Sequence, residues 1–217
     1  MIVCNTSVDW AATGSMLQGI GTIGGTIALI FATIQGANTF KIWRLQKITE
    51  HKQEHAKQIL NAAYNARRAF EFIRGVMILG HELHAAKVEL EQKEGWNNQF
   101  KDRKDRLITA QALLNRMNKS KDQRLALDEC LPMARAIFGE NLEKSVENLI
   151  RQFFIVQLDI EAYVDDDGKY DPNFSAKIRR GMYAVDPRDG EINEVTEAIN
   201  TSIASIENVC LPILRTD

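Results

Sequence analysis

MLQGIGTIGGTIALIFATIQGANTF, residues Met16 to Phe40, is the stretch whose reading decides the fold of this chain. The uncharged run that holds it is longer still: from Ala11 to Phe40 there is no Asp, Glu, Lys, Arg or His. Crossing ~30 Å of hydrocarbon takes roughly 20 helical residues, so residues 16–40 are expected to form a transmembrane helix. A secretory signal peptide needs a basic leader, a shorter apolar core and a cleavage site. The first ten residues, MIVCNTSVDW, contain no Lys or Arg. A buried helix of a water-soluble domain is the other competing reading. Lys41, Arg44, Lys47 and Lys52 follow the run at once. The positive-inside rule then leaves residues 1–15 as a short extracytoplasmic N-terminus and puts everything after the span in the cytoplasm. Trp10 and Trp43 bracket the run about 50 Å apart along a helix, at the two headgroup layers.

At 100° per residue the span sorts into two faces. Gln18, Gly21, Gly25, Ala28, Ala32 and Gln35 make a small and polar stripe, and Ile20, Ile23, Ile27, Ile30 and Ile34 make an apolar one roughly opposite. Gly21 and Gly25 form a small-xxx-small pair that lets helix backbones approach closely. Self-association is therefore expected. Two outcomes stay open: an anchor that associates without conducting, or a pore built from several copies, since one helix encloses nothing. Isoleucine at both core positions favours three or four strands, and an isoleucine ring gates by dewetting. Which face lines the oligomer axis is also open.

The remainder is rich in Ala, Leu, Glu, Lys and Arg, with four prolines in 217 residues, which predicts an all-α protein. Residues 41–58 are polar nearly all round and read as a helical neck. Residues 59–217 are long enough for one helical bundle. The expected helices carry Ile59, Ala63, Ala66, Phe70, Ile73 and Met77; then Phe100, Leu107, Ala110, Leu114 and Met117; then Leu125, Leu131 and Ile137, kinked at Pro132. Leu142, Val146, Leu149, Phe153, Val156, Ile160 and Tyr163 form the clearest stripe. After the turn-rich DDDGKYDPN, a last helix over about 190–211 carries Ile192, Val195, Ile199, Ile203 and Ile206 and ends before Pro212.

Catalytic and metal motifs are weak. His51-Lys52-Gln53-Glu54-His55 spells H-x-x-E-H, an inverted zinc-protease pattern, but it falls on the solvated neck. His81 and His84 are an incidental i, i+3 pair. Asp165-Asp166-Asp167-Gly168 lacks the alternating ligands and distal Glu of a calcium loop. There is no phosphate-binding glycine loop, no nucleophile elbow and no triad, so the chain is not expected to be an enzyme, and no cofactor is implied. Cys4, Cys130 and Cys210 have no metal spacing and fit no disulfide framework. Two basic clusters lie among aromatics: Lys101, Arg103, Lys104 and Arg106 near Trp96 and Phe100, and Lys177, Arg179 and Arg180 between Phe174 and Tyr183. That pattern suits a nucleotide or short single strand, held by phosphate pairing and base stacking; the competing reading is a charged, solvated face.

The order of an uncharged span, then Phe40-Lys41-Ile42-Trp43-Arg44-Leu45-Gln46, a Glu/His/Lys-rich neck and AKQILNAAYNARRA at residues 56–69, with Ile206-Glu207 and Leu211-Pro212 near the end, resembles a group of bacterial single-span membrane proteins. Proteins of this build serve as effectors of anti-phage systems. The Hailong channel subunit, similar in layout, is a tetramer held shut by a nucleotide-oligomer ligand. The resemblance implies a homo-oligomer in the bacterial inner membrane, with a cytoplasmic bundle that senses a ligand. It transfers no binding residue. The alternative is a membrane-tethered scaffold that docks a partner protein without conducting ions.

Overall fold

The computed structural model describes residues 10–168, 171–184 and 192–215, and residues 1–9, Cys4 among them, lie outside that set. The chain is all-α: helix is the only regular structure among the described residues. It divides into two compact units, Met1–His51 and Lys52–Asp217. The first helix, α1 (Trp10–Ile73), contributes to both. It begins ahead of Met16, so residues 10–15 are helical.

In the first unit, Thr22, Thr26, Thr33 and Thr39 each turn their hydroxyl back onto the carbonyl four residues earlier, at 2.8 to 2.9 Å. Their polarity is satisfied within the helix. Ile27, Leu29, Ile30, Phe31 and Ile34 are all exposed. Side chains of most residues between Trp10 and Gly24, and of Ala28, lie outside the described set. Among the described residues no helix is long and apolar enough to cross a membrane.

The second unit is a bundle centred on one helix. After α1 come α2 (Gly80–Glu91), a short 3-10 turn (Trp96–Asn98), α3 (Lys101–Lys119), α4 (Lys121–Met133), α5 (Glu140–Asp165), α6 (Pro172–Met182) and α7 (Glu194–Leu214). Helix α5 packs on α3, α4, α6 and α7. The reason is its stripe: Leu142, Val146, Leu149, Phe153, Val156 and Ile160 are fully buried, as their 3/4 spacing predicts. From α1, Ile59, Ala63, Ala66, Phe70 and Ile73 enter the same core, and the Phe70 and Phe153 rings lie 4.0 Å apart. Val195, Ile199, Ile203 and Ile206 supply the α7 face.

Several expectations shift. Helix α1 stops at Ile73, so Met77 stands 77% exposed rather than in the core. Helices α2 and α6 were not foreseen. Phe100 lies outside α3 and is 85% exposed. On α4 the buried position is Leu127, with Leu125 outward, so the face is rotated from the expected one. Pro132 is followed by a wide π turn, Ala134–Phe138, as the missing N–H and ring clash require. Gly139 then takes φ +91°, a conformation that a side chain resists, and the chain enters α5. Helix α7 runs past Pro212 to Leu214, and Ile192 lies outside it, exposed.

Candidate functional site

Two guanidinium groups hold the bundle's corners. Arg116 of α3 is buried and reaches the turn where α1 ends. Its Nε and Nη2 donate to the two oxygens of Glu82 at 2.9 and 2.6 Å. Its remaining N–H groups meet the carbonyls of Phe72, Gly75 and Met77 at 3.2, 2.9 and 2.7 Å. Helix ends leave carbonyls without partners, and a planar fork of donors satisfies three at once. Glu82 Oε2 also accepts from the Leu79 N–H at 2.9 Å, closing the first turn of α2. The Arg116 hydrogen bonds hold the Glu82 carboxyl down at about 2 against the opposing effect of burial.

Arg74, only 1% exposed, stands in the same turn after α1 and reaches toward α6 and α7. It donates to the carbonyls of Gly181, Arg180 and Tyr183, to Thr196 Oγ1 and to Asn193 Oδ1, at 2.8 to 3.0 Å. These acceptors are the C-terminal end of α6 and the N-terminal turn of α7, so one side chain fastens three helices. Burial lowers its pKa to about 10. Asp159 of α5 lies near it, packed against the bare Cα of Gly181, and burial raises that carboxyl to about 6.

Of the span residues singled out from sequence, Gln18, Gly25, Ile27, Ile30, Ala32, Ile34 and Gln35 are exposed. A Cβ built on Gly25 meets nothing within 4 Å, so no packing within the chain asks for a small residue there. The side chains of Ile20, Gly21, Ile23 and Ala28 lie outside the described set. Of the basic clusters, Lys101 is exposed at the start of α3, and Lys104 sits over the Trp96 ring at 5.3 Å with its Nζ 3.4 Å from the Asn97 carbonyl. Lys177 and Arg179 are exposed on α6, and Arg180 lends its carbonyl to Arg74. Neither cluster lines the main concavity.

That concavity runs along α3. One part, about 310 Å³, is lined by Leu90, Trp96, Leu107, Ala110, Leu114 and Val164, with Lys93 and Gln111 at its edge. A second part, about 530 Å³, lies beside Lys93, Ser120, Lys121, Arg124, Phe153 and Glu161. Both share Lys93, Gln111 and Leu114, so they form one groove with an apolar end and a cationic end. Sequence reading missed this set because Lys93 lies after α2 whereas Lys121 and Arg124 stand one turn apart on α4; the fold brings the first beside the other two.

Metal and acid chemistry have structural partners instead. Asp166 Oδ1 accepts from the Gly168 N–H and from Ser175 Oγ, and Asp171 caps α6 through the N–H groups of Asn173 and Phe174. His51 is exposed, and His55 Nδ1 lies 3.2 Å from Gln58 Oε1. No group of three or more His, Cys, Asp or Glu with metal-holding placement occurs among the described residues. Cys210 is buried, which raises its thiol to about 11 and keeps it protonated and unreactive. The chain matches no family model, no curated protein and no solved structure.

Proposed function

We propose that this chain is a homo-oligomeric membrane effector. The N-terminal part of α1 crosses the bacterial inner membrane once, N-terminus outside, and the bundle faces the cytoplasm. Assembled spans form an ion channel or pore that depolarises the membrane in anti-phage defence, and the bundle senses an anionic ligand such as a nucleotide or short oligonucleotide. The reading is non-enzymatic.

The observation that carries it is the surface of the first unit. Ile27 is 62% and Leu29 70% exposed on opposite sides of α1, alongside Ile30, Phe31 and Ile34. Nothing among the described residues covers them, and no charge between Ala11 and Phe40 would keep such a surface in water. Lipid on one side and sister helices on another account for both faces. The back-bonded threonines fit that setting, because in hydrocarbon every polar group must be satisfied locally. The glutamine amides need partners beyond the helix, and small residues let copies approach close enough to supply them. A helix diluted by Gly, Thr and Gln is poorly suited to be a lone anchor, and assembly compensates. Gating then requires that ligand prefer one of two span arrangements.

The test is membrane fractionation, the mass of the assembly in nanodiscs, and ion flux from liposomes. Membrane-bound oligomers that pass ions are expected; a freely soluble chain, a monomer, or no flux in any ligand state would overturn the reading. A specific observation favours a second one, the tethered scaffold. Phe72, Val76, Met77 and Leu79 are all exposed at the corner that follows α1, an apolar knob suited to a partner protein. Under that reading Gln18→Leu and Gln35→Leu leave function intact, and the bundle works on an unrelated anchor.

A further inference from the structure

The groove along α3 is built rather than incidental. A polar chain anchors its middle to the side of the bundle: Lys93 Nζ donates to Gln111 Oε1 at 3.2 Å, Gln111 Nε2 to Asn115 Oδ1 at 3.0 Å, and Asn115 Nδ2 to Glu89 Oε2 at 3.0 Å. This chain fixes one cation where the two parts meet. The loop that carries Lys93 and Trp96 turns at Gly95, whose φ is +81°, and Lys104 holds it down through the Trp96 ring and the Asn97 carbonyl. The apolar end offers a flat indole beside Leu107 and Val164. The other end brings Lys93, Lys121 and Arg124 together against the single carboxylate of Glu161, which already accepts from Gln157 Nε2 at 2.9 Å.

We infer that this groove binds an amphipathic organic anion, with a planar aromatic body at Trp96 and a phosphate or similar end group at Lys93, Lys121 and Arg124. The size is right, since pockets for small ligands run to about 300–1,000 Å³. Three cations line one cleft against a single carboxylate, and an anion placed there accepts charge-assisted hydrogen bonds. Aromatic stacking at the other end sets the orientation. Lys104 acts here as a positioning residue for the indole. The inference deepens the ligand-sensing part of the proposed function and rests on it only for its consequence at the span.

The experiment uses the full chain in nanodiscs, labelled with 5-fluorotryptophan so that Trp96 reports by its own fluorine resonance. The probes are 1-naphthyl phosphate, its two halves 1-naphthol and inorganic phosphate, and decanoate as a flexible-chain anion. Saturable shifts of the Trp96 resonance are expected with 1-naphthyl phosphate, at least tenfold tighter than with either half or with decanoate. Lys121→Gln and Arg124→Gln each weaken it roughly tenfold or more, the loss of one charge-assisted contact, and leave 1-naphthol unchanged. Arg151→Gln, outside the groove, changes neither. No saturable shift, equal binding of decanoate, or equal loss in Arg151→Gln overturns the inference. Binding without any change in liposome flux upholds the groove and removes ligand gating, so the two failures are told apart.

Discussion

Replacing Glu82 by Gln should cost the bundle about 3 kcal/mol at pH 7. Glu82 and Arg116 are the only ion pair among the described residues with both side chains under a tenth exposed, at 9% and 5%. The carboxyl lies at about 2 in the fold against 4.5 for the free group. At about 1.4 kcal/mol per pH unit that gap is worth roughly 3 kcal/mol. Removing one partner of a buried pair typically costs about 3–5 kcal/mol, because the other charge is left behind. The amide keeps one acceptor for Arg116 and sets its NH₂ against a second donor, so the lower end applies. A loss of that size in a unit of this length lowers Tm by roughly 6–12 °C. The sign of the pH dependence follows from a depressed carboxyl: the stabilisation is complete above pH 4.5 and is lost as pH falls toward 2. Wild type and Glu82→Gln, unfolded thermally and in urea as full-length chains in detergent, should therefore differ by a constant amount from pH 7 to 5 and converge below 4.5. Replacing both partners by Met should cost less than the two single losses summed. A Glu82→Gln chain within 0.5 kcal/mol of wild type at pH 7, or a gap that persists unchanged to pH 2.5, would refute the reasoning.

Asp159 carries the opposite sign. Its carboxyl is raised from 3.8 to about 6 by burial, so the fold binds the proton more tightly than the unfolded chain, and this site's contribution declines as pH rises from about 4 to about 6. Asp159→Asn should match wild type near pH 3.5 and exceed it by about 1–2 kcal/mol at pH 7, after allowance for partial solvation; an unchanged difference across that range in urea unfolding would contradict this. Gly181→Ala places a methyl on the Asp159 carboxylate and should destabilise the bundle by about 1–3 kcal/mol, measured by the same unfolding, with no loss if the side chain moves aside freely. Gly25→Leu fills space that is open within one chain, so it should leave bundle stability unchanged while dispersing the assembly in nanodiscs; an intact oligomer would exclude the small-residue face as the contact.

Much of the fold was legible because it rests on one period. Helix α5 shows seven apolar residues at 3/4 spacing, and six of them became the centre of the core. The same rule placed α7 and the Ile59–Ile73 face of α1. It failed where burial falls on small or polar residues. Helix α2 buries only Ala86 and Leu90, and α6 buries Ser175, Ile178, Gly181 and Met182, patterns too sparse to announce a helix. The rotated face of α4 has a related cause: Leu125, Leu127 and Leu131 are equally apolar in sequence, and packing against α5 rather than periodicity chooses Leu127.

Charge was the least legible property. Arg74 and Arg116 look in sequence like any other cation on a polar helix, yet both are buried, and each satisfies carbonyls that a helix end leaves open. Lys101, Lys177 and Arg179, chosen for their aromatic neighbours in sequence, are exposed instead. The distinction is physical: a sequence window records which charges stand side by side, whereas a binding site needs charges that converge from separate elements. Lys93 follows α2, Lys121 opens α4 and Arg124 lies one turn further on; α3 and α5 form the walls between them. A helical bundle can place such residues together without any local motif, and for that reason the proposed anion site is the groove rather than either sequence cluster.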